Sequence, residues 1–283
     1  MERVKYEKAS RMNTIITVLR ITTLAILLLV NIATAAQLVD KINSPNPSLN
    51  FYNKGISLQN LGKLDEAIKE YEKAIEINPQ NLDAWYNKGN VLCRLGKFDE
   101  GIKAYDKTIE INPQYSNAWY NKGNALDDSG KHEEAIKAFD KAIEINPKFS
   151  YAWNNKGKIL SNLGRHEEAI KAFDKALEIN PRDSNVWFQR GISLSKLGRH
   201  EEAIKQYDKA ININPRDSNF WFQKGVALSK LSRYNEAIKE FDKAIDINPH
   251  YSNAWINKGA ALGKLGKSYE AIKAYDKAID LDQ

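Results

Sequence analysis

The sequence predicts an all-α protein, a solenoid of seven stacked helix–turn–helix repeats over residues 48–283. Three residue types carry that prediction. All six tryptophans lie 34 residues apart (Trp85, Trp119, Trp153, Trp187, Trp221, Trp255), and six of the eight prolines, Pro79 to Pro249, keep the same spacing. Thirteen of the fifteen glycines form two further columns of this period, Gly55 to Gly259 and Gly62 to Gly266, the second interrupted only by Ser232. Chance does not align three residue types in this way, and a fixed period of this length marks tandem supersecondary units.

Residues 1–36 come first and read as a signal peptide or membrane anchor. The segment ITTLAILLLVNIATAA (21–36) follows Arg11 and Arg20 and closes on Ala33-Thr34-Ala35. A basic flank, a short apolar stretch and an A-x-A ending are the parts of a secretory signal. A retained anchor needs about 20 apolar residues. Counting from Ile15 to Ala36 supplies them, but Arg20 then sits inside and must snorkel to the interface. Either reading keeps positive charge in the cytoplasm and places everything after residue 40 outside. The leader before Ile15 is long for a signal, and Met12 stands beside Met1 as a second start. Residues 37–47, ending in INSPNP, form a polar linker containing proline.

The seven units are 48–81, 82–115, 116–149, 150–183, 184–217, 218–251 and 252–283. Apolar and small residues recur twice at helical spacing within each. In the second unit, Trp85, Gly89 and Leu92 mark a first helix that stops at Leu95-Gly96, where glycine takes the left-handed stop conformation. A second helix carries Ile102, Tyr105, Ile109 and Ile111 and ends at Asn112-Pro113, because a residue before proline is pushed out of the helical region. Small residues such as Gly157, Ala169 and Ala176 let the two helices approach closely, toward the near end of the usual 8–10 Å or so.

The order Trp, Lys/Arg-Gly, Leu, Ala, Tyr/Phe, Ala, Pro at fixed offsets resembles the tetratricopeptide repeat, and the resemblance covers residues 48–283. It implies antiparallel helix pairs stacked into a right-handed superhelix, with a concave groove lined mainly by first helices. Three departures stand out. Where the family favours Leu before the first glycine, this chain has Lys54, Lys88, Lys122, Lys156, Arg190, Lys224 and Lys258, whose stems are expected to cover apolar surface while the charge stays wet. The second unit has Gly101 and Thr108 where the others have Ala, so its second helix is expected to be a soft point. The sequence stops at Gln283 without the capping helix that terminal repeats usually carry, which leaves the last apolar face open, frayed or used in self-association.

Composition and spacing argue against several functions. Of 42 basic and 36 acidic residues, residues 1–47 hold six and three, leaving 36 and 33 over 48–283, too small an excess for a nucleic-acid binder. Cys93 is the single cysteine, so no internal disulfide or thiol-rich zinc site can form, and no neighbour lowers its pKa. His132, His166 and His200 are 34 apart, each followed by two glutamates. Equivalent residues of adjacent repeats stand about two helix packing distances of roughly 8–10 Å apart, whereas zinc holds its ligands at about 2.0–2.2 Å. They are read as opening each second helix, with acids at its positive end; His250 adds nothing. Acids such as Glu133 and Glu167 are expected to pair with Lys137 and Lys171 at i,i+4 on a solvated face. No phosphate loop, nucleophile elbow or Ser/His/Asp set is present. No catalytic residue, cofactor or metal is assigned.

Function is expected where the repeats differ, since shared columns are occupied by packing. The fifth residue of each unit runs Tyr52, Tyr86, Tyr120, Asn154, Phe188, Phe222, Ile256; the ninth Ile56, Asn90, Asn124, Lys158, Ile192, Val226, Ala260; the thirteenth Asn60, Arg94, Asp128, Asn162, Lys196, Lys230, Lys264. By the resemblance these positions face the groove. The assigned partner-binding set is Tyr52, Tyr86, Tyr120, Asn90, Asn124, Asp128, Phe188, Phe222, Lys196, Lys230 and Lys264, with an acidic stretch of a partner protein or peptide beside the lysines. The competing reading is that the aromatics only pack repeat on repeat. Asn53, Asn87 and Asn121 match the asparagines of a subfamily that clamps C-terminal carboxylates, but Tyr52, Tyr86 and Tyr120 replace its lysines. The function read from the sequence is a binding scaffold outside the cytoplasm, either secreted or attached to the membrane through the N-terminal apolar segment. Its rivals are envelope assembly by self-association through the last repeat and glycan binding on the aromatics.

Overall fold

A computed structural model describes residues 46–281. The signal or anchor at 1–36 and most of the linker at 37–47 lie outside the described residues. Among the described residues no helix is long and apolar enough to cross a membrane. They form fourteen helices: α1 (Pro47–Asn60), α2 (Leu64–Ile77), α3 (Leu82–Arg94), α4 (Phe98–Ile111), α5 (Ser116–Asp128), α6 (His132–Ile145) and α7 (Ser150–Asn162); then α8 (His166–Ile179), α9 (Ser184–Lys196), α10 (His200–Ile213), α11 (Ser218–Lys230), α12 (Tyr234–Ile247), α13 (Ser252–Lys264) and α14 (Ser268–Leu281). Odd-numbered helices are the first of each repeat and even-numbered ones the second. Asn46 and Pro47, read as linker, instead open α1: the Asn46 side chain accepts from the Leu49 N–H, and proline suits the first helical position.

Helix ends follow the expected chemistry. After α3, the Gly96 N–H donates to the Cys93 carbonyl at 3.0 Å and the Lys97 N–H to the Leu92 carbonyl at 2.9 Å. Those are the two bonds of a Schellman stop, which needs a left-handed residue between them. Gly96 supplies it with φ of 74°. Ser232 closes α11 in the same conformation at φ 59° and, alone among the described non-glycine residues, has a positive φ. The second helices of the first six repeats end on an extended asparagine before proline, as at Asn112 with φ −137°. The indole N–H of the next tryptophan then reaches back to that loop, Trp119 Nε1 donating to the Pro113 carbonyl at 3.1 Å.

Packing inside a repeat turns on one close approach. A Cβ at Gly157 would lie 2.6 Å from Cε1 of Phe173, and the ring of Phe173 is fully buried. Ala169 and Ala176, buried beside it, complete the small-residue contact expected from the sequence. Gly101 has a different reason: a Cβ there would collide with the Cys93 sulfur, so Cys93 fills the volume taken by an alanine methyl in other repeats. The Thr108 hydroxyl donates to the Ala104 carbonyl at 3.0 Å and is fully buried.

Two expectations about charge are corrected. Of the seven cations before the first glycine only Lys54, 61% exposed, stays wet. Lys88, Lys122, Lys156, Arg190, Lys224 and Lys258 have side chains only 17–22% exposed and pair with Glu72, Asp106, Asp140, Asp174, Asp208 and Asp242 of the preceding repeat's second helix. Lys122 pairs at 2.6 Å, and its ammonium also lies 5.4 Å from the centroid of Trp119. The carboxylates at 133 and 167 form no i,i+4 pairs. Glu133 and Glu167 reach Arg165 and Arg199 of the following repeat, at 3.2 and 3.7 Å, because the stacking brings an arginine nearer than the lysine one turn away.

Replacing Ser232 with glycine relieves a left-handed backbone strain of about 1–2 kcal/mol, and S232G is expected to raise unfolding stability by about 1 kcal/mol in urea titration. For the Cys93–Gly101 contact, G101A alone should lower the melting temperature through overpacking. C93A/G101A exchanges the two volumes and gains about 1 kcal/mol of helix propensity. Amide exchange over 98–111 should slow in the double variant.

Candidate functional site

The first helices α3, α5, α7, α9 and α11 each approach the first helix of the next repeat, whereas consecutive second helices make no comparable approach among the described residues. The stack therefore bends with first helices on the inside. Fifth, ninth and thirteenth positions share one stripe of such a helix, at 100° per residue.

The fifth-position aromatics are built into the stack as well as the groove. Tyr52, Tyr86, Tyr120, Phe188 and Phe222 are half-buried. Each lies 5.7–6.1 Å by ring centroid from the aromatic of its own second helix: Tyr71, Tyr105, Phe139, Tyr207 and Phe241. Four also meet an aromatic near the junction with the following repeat, Tyr86 with Tyr115 at 5.1 Å, Tyr120 with Phe149 at 4.8 Å, Phe188 with Phe220 at 4.7 Å and Phe222 with Tyr251 at 4.9 Å. Such offset pairs hold the rings in place. What remains for a partner is a row of fixed ring edges.

The polar residues of the first half are committed to one another. Asn121 Nδ2 donates to the Tyr86 hydroxyl and to Asn90 Oδ1, both at 2.9 Å. Asn155 repeats this with Tyr120 at 3.1 Å and Asn124 at 2.8 Å, and Asn87 donates to Tyr52 at 3.2 Å. The Tyr105 hydroxyl completes the network by donating to Asn90 Oδ1 at 2.8 Å. Burial pushes the Tyr86 phenol up from its ordinary pKa, so it stays a neutral donor and acceptor. Asn87 and Asn121, the residues that resemble a carboxylate clamp, are thus spent on tyrosines. Asp128 is exposed, while its neighbour Asp127 holds His132 Nδ1 at 2.7 Å. His166 and His200 stand 3.5 and 3.3 Å from Ser161 and Ser195 across the same turn.

The second half is uncommitted. Lys196, Lys230 and Lys264 are exposed and form no ion pair among the described residues, in contrast to the paired lysine column. Between α7 and α9 a cavity of about 350 Å³ is lined by Asn162, His166, Ile192 and Lys196. One residue outside the assigned set belongs to the groove. Asn154 is 8% exposed, and its Oδ1 has no hydrogen-bond partner. Its signal in the sequence was being the one polar member of an otherwise aromatic and aliphatic column.

Burial pushes the Cys93 thiol up, which outweighs the hydrogen bond from Tyr105 and removes thiolate character. No cluster of three metal-ligating side chains occurs among the described residues.

The sequence profile of the tetratricopeptide repeat matches residues 82–115, 116–149, 150–183, 184–217, 218–251 and 252–283, and a second TPR repeat profile matches 55–96. Among solved structures, YrrB, a TPR protein with an unusual peptide-binding site, is 27% identical with a TM-score of 0.58, over 65% of this chain and 95% of its own. A tetratricopeptide repeat protein from Parabacteroides merdae is 19% identical with a TM-score of 0.64, over 83% of this chain and 93% of its own. The C-terminal part of a TPR repeat-containing protein from Cytophaga hutchinsonii is 16% identical with a TM-score of 0.72, over 82% and 95%. The last two likenesses bear on the fold alone. No curated protein matches the chain in sequence.

Removing the donor that ties two repeats together should be felt. N121A is expected to lower stability by about 1 kcal/mol, the net worth of a partly buried hydrogen bond. Y86F should lose little further stability on that background, as a double-mutant cycle in urea would read.

Proposed function

The chain belongs to the tetratricopeptide repeat family, and on that premise we propose that it is a non-enzymatic scaffold that binds a protein or peptide segment along its inner groove, outside the cytoplasm. The observation that carries this reading is the contrast among its cations. Six members of the seventh-position column are largely buried and paired across repeats, whereas Lys196, Lys230 and Lys264 stand exposed and, among the described residues, unpaired on the same helix stripe that carries Phe188 and Phe222 in repeats 5 and 6. Rigid aromatic edges contribute contact area at little entropic cost, and a ladder of free ammonium groups sets the register of an acidic partner. A relative in the same family, YrrB, has a peptide-binding site by its own description. Placement outside the cytoplasm rests on the basic flank, apolar stretch and A-x-A ending of residues 11–36.

A second reading has its own observation. On α14, Ile272, Tyr275 and Ile279 are 58%, 38% and 57% exposed, while their counterparts Ile204, Tyr207 and Ile211 are 8%, 0% and 6% exposed under the next repeat. That face fits self-association.

Proximity labelling of the full-length protein in its own cell identifies the partner. F188A/F222A and K196E/K230E are then each expected to weaken its binding at least tenfold, with the helical circular dichroism unchanged. Retained affinity in both variants would remove the groove as the site. Protease added to intact cells should digest a C-terminal tag if the repeats lie outside. Concentration-independent sedimentation, unaltered by I272E/I279E, would dismiss the self-association reading.

A further inference from the structure

The opposite side of the first helices carries a second surface. Fourth, seventh and eleventh positions lie about half a turn away from the groove stripe at 100° per residue. In repeat 3 they place Trp119, Lys122 and Leu126 on a cavity of about 560 Å³; in repeat 4 Trp153, Lys156 and Leu160 line its counterpart of about 540 Å³. Each cavity has an alanine of the second helix in its wall, Ala138 or Ala172. Acids also stand on the rims, Glu134 and Asp140 on the first and Glu168, Asp174 and Glu178 on the second, alongside three lysines each. Recesses of this size, with an apolar floor and a charged rim, are of the kind that take ligand side chains.

The other repeats show what chemistry fits there. At the position of Ala138 and Ala172, repeats 2 and 7 also have alanine (Ala104 and Ala274), whereas repeat 1 has Glu70, repeat 5 Gln206 and repeat 6 Glu240. Glu240 lies in its own repeat with a side chain 16% exposed and its carboxylate 3.0 Å from Lys224 Nζ, while Lys224 also holds Asp208 at 2.8 Å. Burial works against the Lys224 ammonium, but the hydrogen bonds to Asp208 and Glu240 offset it and raise its pKa above the ordinary value. Glu70 packs the same way in repeat 1, 3.1 Å from Lys54. In repeat 5 the uncharged Gln206 lies in the wall of a more polar recess that extends to Leu177 and Pro181 of the preceding repeat.

Repeats 3 and 4 have the same lysine without the second carboxylate. Lys122 and Lys156 each hold one acid of the preceding repeat, Asp106 and Asp140, where Lys224 holds two. Lys137 and Lys171 line the same recesses and form no ion pair among the described residues. We propose that the recesses of repeats 3 and 4 form a second docking surface for an acidic segment of a partner protein. Each recess receives one glutamate-like side chain, its stem against the indole and leucine and its carboxylate on Lys122 or Lys156. Glu240 in repeat 6 is the built-in version of that contact. This surface is separate from the inner groove and does not rest on it.

The tryptophan indoles report on each repeat separately. The full chain, labelled with nitrogen-15, is titrated at low salt with a capped hexaglutamate peptide, and hexalysine is the charge control. The expected result is that the Trp119 and Trp153 indole resonances move along one saturating isotherm while Trp221, whose recess Glu240 fills, stays still. A138E should silence Trp119 alone and A172E Trp153 alone, and the double variant should weaken the isotherm at least tenfold. E240A opens a third recess and should bring Trp221 into the responding set. F188A/F222A should leave the titration unchanged, which separates this surface from the groove. The proposal is overturned if Trp119 and Trp153 do not move, if all six indoles move alike, if A138E/A172E binds as before, or if Trp221 stays silent in E240A.

Discussion

In each repeat the second helix lays an aromatic ring across the first helix at a glycine, at a distance no Cβ would tolerate: 2.6 Å at Gly157 over Phe173, 2.6 Å at Gly225 over Phe241. A side chain at that glycine would force the helices apart and move every other contact made between them. With the pair drawn together, the tryptophan column reaches back to the preceding proline loop and the seventh-position cation reaches the preceding acid. Repeats joined only to their neighbours are stabilised by this same junction taken over and over.

A partly buried ion pair is weak evidence for stability, because desolvation opposes the Coulomb gain. What the column from Lys88–Glu72 to Lys258–Asp242 contributes is geometry: each of its five lysines lies between its own tryptophan and the acid of the repeat before it, and Arg190 reaches the same acid while Lys209 covers Trp187, which fixes how one repeat is set on the next. The charged groups on the rim are exposed and screened, so the Arg165–Glu133 type of bridge adds little energy while still joining neighbours. The repeats differ where this common scheme leaves volume free. Cys93 and Gly101 exchange volume within one repeat, Asn154 interrupts the aromatic column, and Ala138 and Ala172 leave open what Glu240 closes.

The inner face divides along its length for the same reason. Tyrosine hydroxyls in the first three repeats need partners when half-buried, and the asparagines of following repeats supply them, which rigidifies that half and uses up its donors. Phe188 and Phe222 make no such demand, so the surrounding polar groups and the lysines remain available. A ligand gains most where groups are fixed in place but not yet satisfied.

Much of this could be read from the chain itself. A 34-residue period in Trp, Gly and Pro dictates two helices per unit, because each of these residues acts on the backbone or on contact distance wherever it stands: Gly96 as a left-handed stop, Pro113 as a helix terminator, Gly157 as a point of close approach. Those are local effects, and local effects survive without knowledge of neighbours. The partners of the charges and of the groove residues were decided only by stacking. Glu133 meets Arg165 in preference to Lys137, Asn121 is claimed by Tyr86 and Asn90, and Lys122 is drawn to Asp106 of the repeat before it. Each of those choices depends on the rotation and distance between consecutive repeats, which is a sum of packing contacts and appears in no single repeat's sequence.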